Sequence, residues 1–244
     1  MINEPVVVTE QSFQQAWLAV ISLLKRSSWD IRNLIVQIKN TQLIDNIFHQ
    51  KVSQFASREG LLSPKHVAYT IFPQGLYEHR GDAAKLFHAY DRPNGFFERL
   101  NRRKPGWDTY FRRMTHYEKT GEVAVNQLDN IIRAICTRDR LYRSALTIVI
   151  QNPGSETVLP RGGPCLNYIS VQLEPTQPIT LGLLAVYRNH DFIQRAYGNY
   201  WGLCNLLNFL ATEVKAVPGP LTCVSSHAYV ANKKKALMSM VGGL

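Results

Sequence analysis

Over residues 10–25 the apolar positions Phe13, Trp17, Val20, Ile21 and Leu24 recur at helical spacing, which predicts an amphipathic helix against a core. The segment IRNLIVQI (31–38) reads as a strand. From 41 to 105 the periodicity is interrupted by Pro64, Pro73, Gly75, Gly81, Pro93 and Gly95, leaving short helical pieces without a clear order. Leu128, Ile131, Ile132 and Ile135 restore helical spacing over 123–138 and predict a second packing helix. Three strand-like runs follow, SALTIVI (144–150), LNYISVQLE (166–174) and LGLLAVY (181–187), and predict neighbours in one sheet, the last two joined by the turn residues PTQP. Residues 198–216 are apolar on nearly every side, the pattern of a central buried helix, and Pro218-Gly219 marks its end. A further strand (221–230) and a lysine-rich tail complete a single α/β (α+β) domain over 1–244, with no internal repeat and no linker.

Composition narrows the class. A hydrophobic fraction of 45% fits a globular core and excludes a disordered or fibrous chain. The first residues lack the basic start and long apolar stretch of a signal peptide, and the longest apolar run is about the length of LAVISLL, so a soluble, cytoplasmic protein without a membrane partner is expected. Cys136, Cys165, Cys204 and Cys223 form no CxxC pair and have no histidine at metal-ligand spacing. Free thiols are therefore expected, with no metal site and no disulfide framework. The net charge of +10, concentrated over 92–114 and 133–143, fits an anionic partner, nucleic acid or a phosphorylated small molecule. Because no zinc-finger, RNP or basic-zipper pattern accompanies it, nucleic acid is the weaker choice, and a solvated basic surface is the plain alternative.

Candidate chemistry gathers in the second half. In RGGPCLNYISVQLEP (161–175), Cys165 is either a small buried residue at a strand start or a thiol placed to react. It is followed by YRNHD (187–191), by Asn199 at the opening of the apolar helix, by Pro218-Gly219, and by HAY (227–229). Asp191 and Asn199 are eight residues apart, and Asn199 and Gly219 twenty. Upstream, GWDTYFRRM, NQLDNIIRAI and RDRLYRSALTIVIQNP run in order. Taken singly, Arg188 and Asp191 fit a surface ion pair, Asn199 a helix cap, and His227 with Tyr229 a strand face.

As an ordered series over roughly 106–230, these segments resemble the thymidylate synthase and pyrimidine nucleotide hydroxymethylase superfamily. The resemblance implies that family's fold, a large twisted mixed sheet packed with helices around a central buried helix, with a homodimer formed through the sheet. It implies that Cys165 is the nucleophile that adds to carbon 6 of a pyrimidine ring, making carbon 5 able to attack a one-carbon electrophile. Arg188 is then the cation beside the thiol and a phosphate ligand, and Asp191 completes the catalytic set. Asn189 stands at the phosphate, Asn199 reads the O4 and N3–H edge of a uracil-type base, and His227 and Tyr229 hold the sugar hydroxyl. Arg143 would reach the phosphate of the second subunit. The implied partners are a pyrimidine nucleoside monophosphate and a reduced folate, 5,10-methylenetetrahydrofolate. The implied activity is C5 methylation or hydroxymethylation of a uridylate-like nucleotide. Gly75 falls where the family carries its catalytic glutamate, which keeps a second expectation in play, a catalytically silent nucleotide-binding or sensor protein.

Overall fold

The structure is a computed structural model that describes residues 4–91, 109–117, 124–137, 143–153, 156 and 163–243. Strand β1 (Val6–Glu10) leads into helix α1 (Phe13–Arg26), whose first turn is closed by a reciprocal cap between Ser12 and Gln15. The expected stripe on α1 is buried: Phe13, Trp17, Val20, Ile21 and Leu24 are at most 2% exposed. Strand β2 spans Asp30–Ile38. The interrupted stretch resolves into α2 (Asn46–Arg58), α3 (Pro64–Ile71), α4 (Gln74–Arg80) and α5 (Ala83–Asp91). Pro64 starts α3, where its missing N–H costs nothing, and Gly81 ends α4 in the left-handed conformation. Pro93, Gly95 and the basic residues 92–108 and 138–142 lie outside the described residues.

Helices α6 (Tyr110–Thr115) and α7 (Gln127–Thr137) precede a single 3-10 turn, Arg143–Ala145, and strands β3 (Thr147–Val149), β4 (Leu166–Glu174) and β5 (Thr180–Tyr187). The short β6 (His190–Asp191), helix α8 (Ala196–Glu213), the long β7 (Val217–Tyr229) and helix α9 (Lys234–Val241) complete the order. One mixed sheet of seven strands runs β1-β2-β7-β5-β4-β3, with β6 beside β7. The β4–β5 pair is antiparallel, as the short turn between them requires. The β5–β7 pair is parallel, so the chain has to cross over, and α8 is that crossover.

Four local expectations are corrected. Helix α8 ends at Glu213, and Pro218-Gly219 lies inside β7, because Val217 N–H already donates to Ile179 O at 2.8 Å and starts the pairing with β5. The first residues of the 144–150 run belong to the 3-10 turn. The lysine-rich tail is partly the helix α9, anchored by buried Leu237. Strand β1, for which no strand was expected, gains its place by parallel pairing with β2.

The pleat separates two rows across the sheet. Val8, Val36, Cys223, Ala185, Ile169 and Ile148 align on the buried side. Val7, Ile35, Val224, Val186, Tyr168 and Val149 align on the other, with Val7 63% and Val149 39% exposed. Helix α8 meets α3 at unusually close range. A Cβ on Gly198 would lie 2.6 Å from Val67 Cβ, and one on Gly202 would lie 2.8 Å from Ala68 O, so only glycine lets the two helices touch here. Trp17 Nε1 donates to Phe192 O at 2.9 Å, tying the turn before α8 to the core. Among the described residues no helix is long and apolar enough to cross a membrane.

Candidate active site

The site lies where β4 begins and β5, β6 and β7 end. Antiparallel pairing sets Leu166 opposite Tyr187, and Arg188 N–H donates to Cys165 O at 2.9 Å. The register slips between Leu166 and Tyr168, a bulge at Asn167 that re-aims the start of the strand. Asn167 Nδ2 holds the bulge by donating to Gln151 Oε1 at 2.9 Å and to Pro164 O at 3.3 Å. Gly163, at φ 74°, supplies the left-handed turn ahead of Pro164. Arg188 Nε then donates to Pro164 O at 3.0 Å, so the arginine clasps the Cys165 segment through main chain and side chain together.

Helix α6 adds Tyr110, whose hydroxyl oxygen accepts the N–H groups of Cys165 at 3.2 Å and Leu166 at 3.4 Å. Cys165 is half-buried. Burial pushes its thiol up from the ordinary range, and the charges of Arg188 and Arg195 pull it part of the way back. Arg195 opens α8 and lies close enough to influence Cys165, Tyr110 and Asp191 together.

A second polar group occupies the ends of β2 and β7. His227 Nε2 donates to Asp30 Oδ2 at 2.7 Å, and His227 Nδ1 lies 2.9 Å from Asn189 Oδ1. Asn189 Nδ2 donates to Tyr229 Oη at 3.4 Å, and the His227 and Tyr229 rings stack at 5.0 Å. Asp191 accepts from Ile193 N at 3.0 Å and Gln194 N at 3.3 Å, which caps the turn into α8, and burial raises its carboxyl. Asn199 is 3% exposed and bonds inward to His190.

Of the residues singled out from sequence, Cys165, Arg188, Asn189, Asp191, Asn199, His227 and Tyr229 thus meet at one end of the sheet. Arg143 does not join them: it is exposed on the 3-10 turn beside the edge strand β3. Tyr110, Asp30, His190, Ser225 and Arg195 carry contacts in or beneath the site without having been singled out. Tyr110 and His190 stand inside the quoted segments GWDTYFRRM and YRNHD; Asp30 had no signal beyond preceding a strand.

Behind the 193–195 turn, Ile193, Gln194, Arg195 and Gly198 border a cavity of about 20 Å³, room for a single water. Among the described residues no group of three or more His, Cys, Asp or Glu could hold a metal ion. No protein-family model matches the chain, and no curated protein matches it in sequence.

Proposed function

We propose that the protein is a pyrimidine nucleotide C5 one-carbon transferase, acting on a uridylate-like nucleotide through a covalent Cys165 adduct. The observation that carries this reading is the clasp: a half-buried cysteine whose carbonyl and preceding residue are both held by Arg188, with Asn199, His227 and Tyr229 at the same end of the sheet. In the reaction, the Cys165 thiolate bonds to carbon 6 and the C5–C6 π pair moves onto carbon 5 and O4 as an enolate. Carbon 5 then bonds to a carbon at the aldehyde level, an iminium or carbonyl whose π pair moves onto its nitrogen or oxygen; the C5 proton leaves to that heteroatom, and the sulfur–C6 bond breaks to restore the ring. Arg188 and Arg195 stabilise the thiolate and the anionic nucleotide. Asn199 holds the base edge, Asn189, His227 and Tyr229 hold the sugar and phosphate side, and Asp191 supplies the carboxyl group at this end of the sheet. In this reading a reduced folate would supply the electrophilic carbon when bound.

The protein acts as a homodimer in this reading. The support is the open apolar row from Val7 to Val149 across the sheet, which a second copy would cover, while exposed Arg143 lies beside β3 at the sheet's edge, free to cross to the partner. One observation favours a second reading, a nucleotide sensor without covalent chemistry: burial pushes the Cys165 thiol up, away from the thiolate form.

The test is release of tritium to water from 5-tritiated dUMP. The enzyme reading expects release by wild type and none by Cys165→Ser, with nucleotide binding kept in both. Tight binding without release in wild type selects the sensor.

A further inference from the structure

Beneath the site, Asn199 begins a line of four polar side chains that runs into the core. Asn199 Nδ2 lies 3.1 Å from His190 Nε2, His190 Nδ1 lies 2.9 Å from Ser225 Oγ, and Ser225 shares one buried face of β7 with Cys223. His190 and Ser225 are 1% and 0% exposed, and the His190 ring stacks on Tyr187 at 4.2 Å with 3° between planes. The ring therefore can neither turn nor reach water.

The direction of each bond follows from its neighbours. With an amide nitrogen on Nε2, that ring nitrogen has to accept. Burial pushes His190 down to about 3, so the ring is neutral near pH 7 and carries one proton, which sits on Nδ1 and is donated to Ser225 Oγ. Beyond Ser225, burial pushes the Cys223 thiol up to about 12, and the Ser225 hydroxyl pulls it part of the way back. Every bond in the line points inward. The Asn199 amide is left with its second N–H and its Oδ1 as the edge for a ligand.

We propose that His190 and Ser225 are positioning residues for base selection: by keeping the imidazole proton on Nδ1 they hold the Asn199 amide nitrogen inward and its oxygen toward a pyrimidine N3. This rests on the reading above that Asn199 faces the base. A uracil ring presents N3–H as a donor and O4 as an acceptor, which match that oxygen and the remaining N–H. A cytosine ring presents a bare N3 acceptor and an amino donor, which oppose both. Accepting cytosine requires the amide to reverse, and a reversed amide requires the proton on His190 Nε2. The tautomer of one buried ring thus discriminates the two nucleotides.

Two measurements test this. In 15N-resolved NMR of the free protein, the His190 ring is expected as the Nδ1-protonated tautomer; a ring protonated on Nε2 overturns the proposal whether or not any nucleotide binds. In calorimetry, wild type is expected to prefer dUMP to dCMP by about a hundredfold, and Ser225→Ala to cut that ratio by about tenfold, while Ser225→Thr, which keeps the hydroxyl, retains it. If Ser225→Ala does not fold, His190→Gln replaces it, because its amide can turn either way. Equal loss of both nucleotides reduces the line to packing and overturns the proposal. Wild type that binds neither nucleotide, with the Nδ1 tautomer present, instead overturns the reading of Asn199 as a base contact, and base selection falls with it.

Discussion

The two histidines nearest the site occupy opposite environments. His190 is 1% exposed, stacked on Tyr187 and bonded on both nitrogens inside the core, whereas His227 is half-buried at the strand ends between Asp30 and Asn189. An inner layer of this kind can hold a geometry but cannot exchange partners, because each group it exposes would lose a bond that water does not replace. The outer layer exchanges partners cheaply, since solvent competes for every bond it makes. Orientation is therefore the task suited to His190, and ligand contact the task suited to His227.

The inner layer depends on the close approach of α3 and α8, where Gly198 precedes Asn199, so the largest expected effect is on that contact. Gly198→Val drives a side chain into Val67 and Pro64 and is expected to cost about 3 kcal/mol in urea unfolding. A cost well below about 1 kcal/mol would show that α8 can shift without penalty.

The next effect separates the layers by pH. His190 has its proton affinity lowered by folding, from 6.5 to about 3, so the unfolded chain binds the extra proton between those values. Its contribution to stability is fully present above 6.5 and is lost as pH falls toward 3, at about 1.4 kcal/mol per pH unit. Unfolding measured from pH 7 to pH 4.5 is expected to show this slope and to lose much of it in His190→Gln. An unchanged slope in the variant would place the titration elsewhere, for instance at His49, which burial also lowers.

Single substitutions sharpen the contrast further. Asn199→Leu leaves His190 Nε2 without a partner in the core and is expected to cost about 2 kcal/mol of stability. Asp30→Asn, at the exposed end of the outer chain, is expected to cost less than about 1 kcal/mol while weakening dUMP binding several-fold. Equal stability costs for the two would erase the distinction. The smallest effect is kinetic: Arg188→Ala removes a charge that pulls the Cys165 thiol down, so alkylation by iodoacetamide near pH 8 is expected to slow a few-fold. Faster alkylation would mean that Arg188 shields the thiol more than it activates it.

Much of the site was legible because its residues mark the ends of strong elements. Cys165 precedes the run LNYISVQLE, Arg188 follows LGLLAVY, and Asn199 lies in a helix apolar on nearly every side, patterns that period and composition reveal directly. Asp30 was not legible, since an acidic residue before a strand has no local signature, and its role arises only when β2 pairs with β7 and brings Tyr229 opposite it. His190 was visible in YRNHD but had no assigned role. Its partners Ser225 and Asn199 are distant along the chain and meet it only through the β6–β7 pairing and the crossover helix. Strand β1 escaped because Val-Val-Val-Thr-Glu is too short and shows no alternation, and it becomes a strand only beside β2.

The sequence by itself determined the strong helices and strands, the stretch that became the crossover helix, and the order of the chemical residues, because periodicity and residue type are local properties. Tertiary structure decided which of those residues share a site and which of the two histidines is sealed from water. It also decided which face of the sheet stays open, and that Arg143 stands away from the Cys165 cluster in its own chain. The physical reason is that strand pairing and register join residues far apart along the chain, and burial then sets what each polar group can do. A histidine carries the same ring at 190 and at 227, and only packing seals one of them in the core with both nitrogens bonded and leaves the other half-buried at the strand ends.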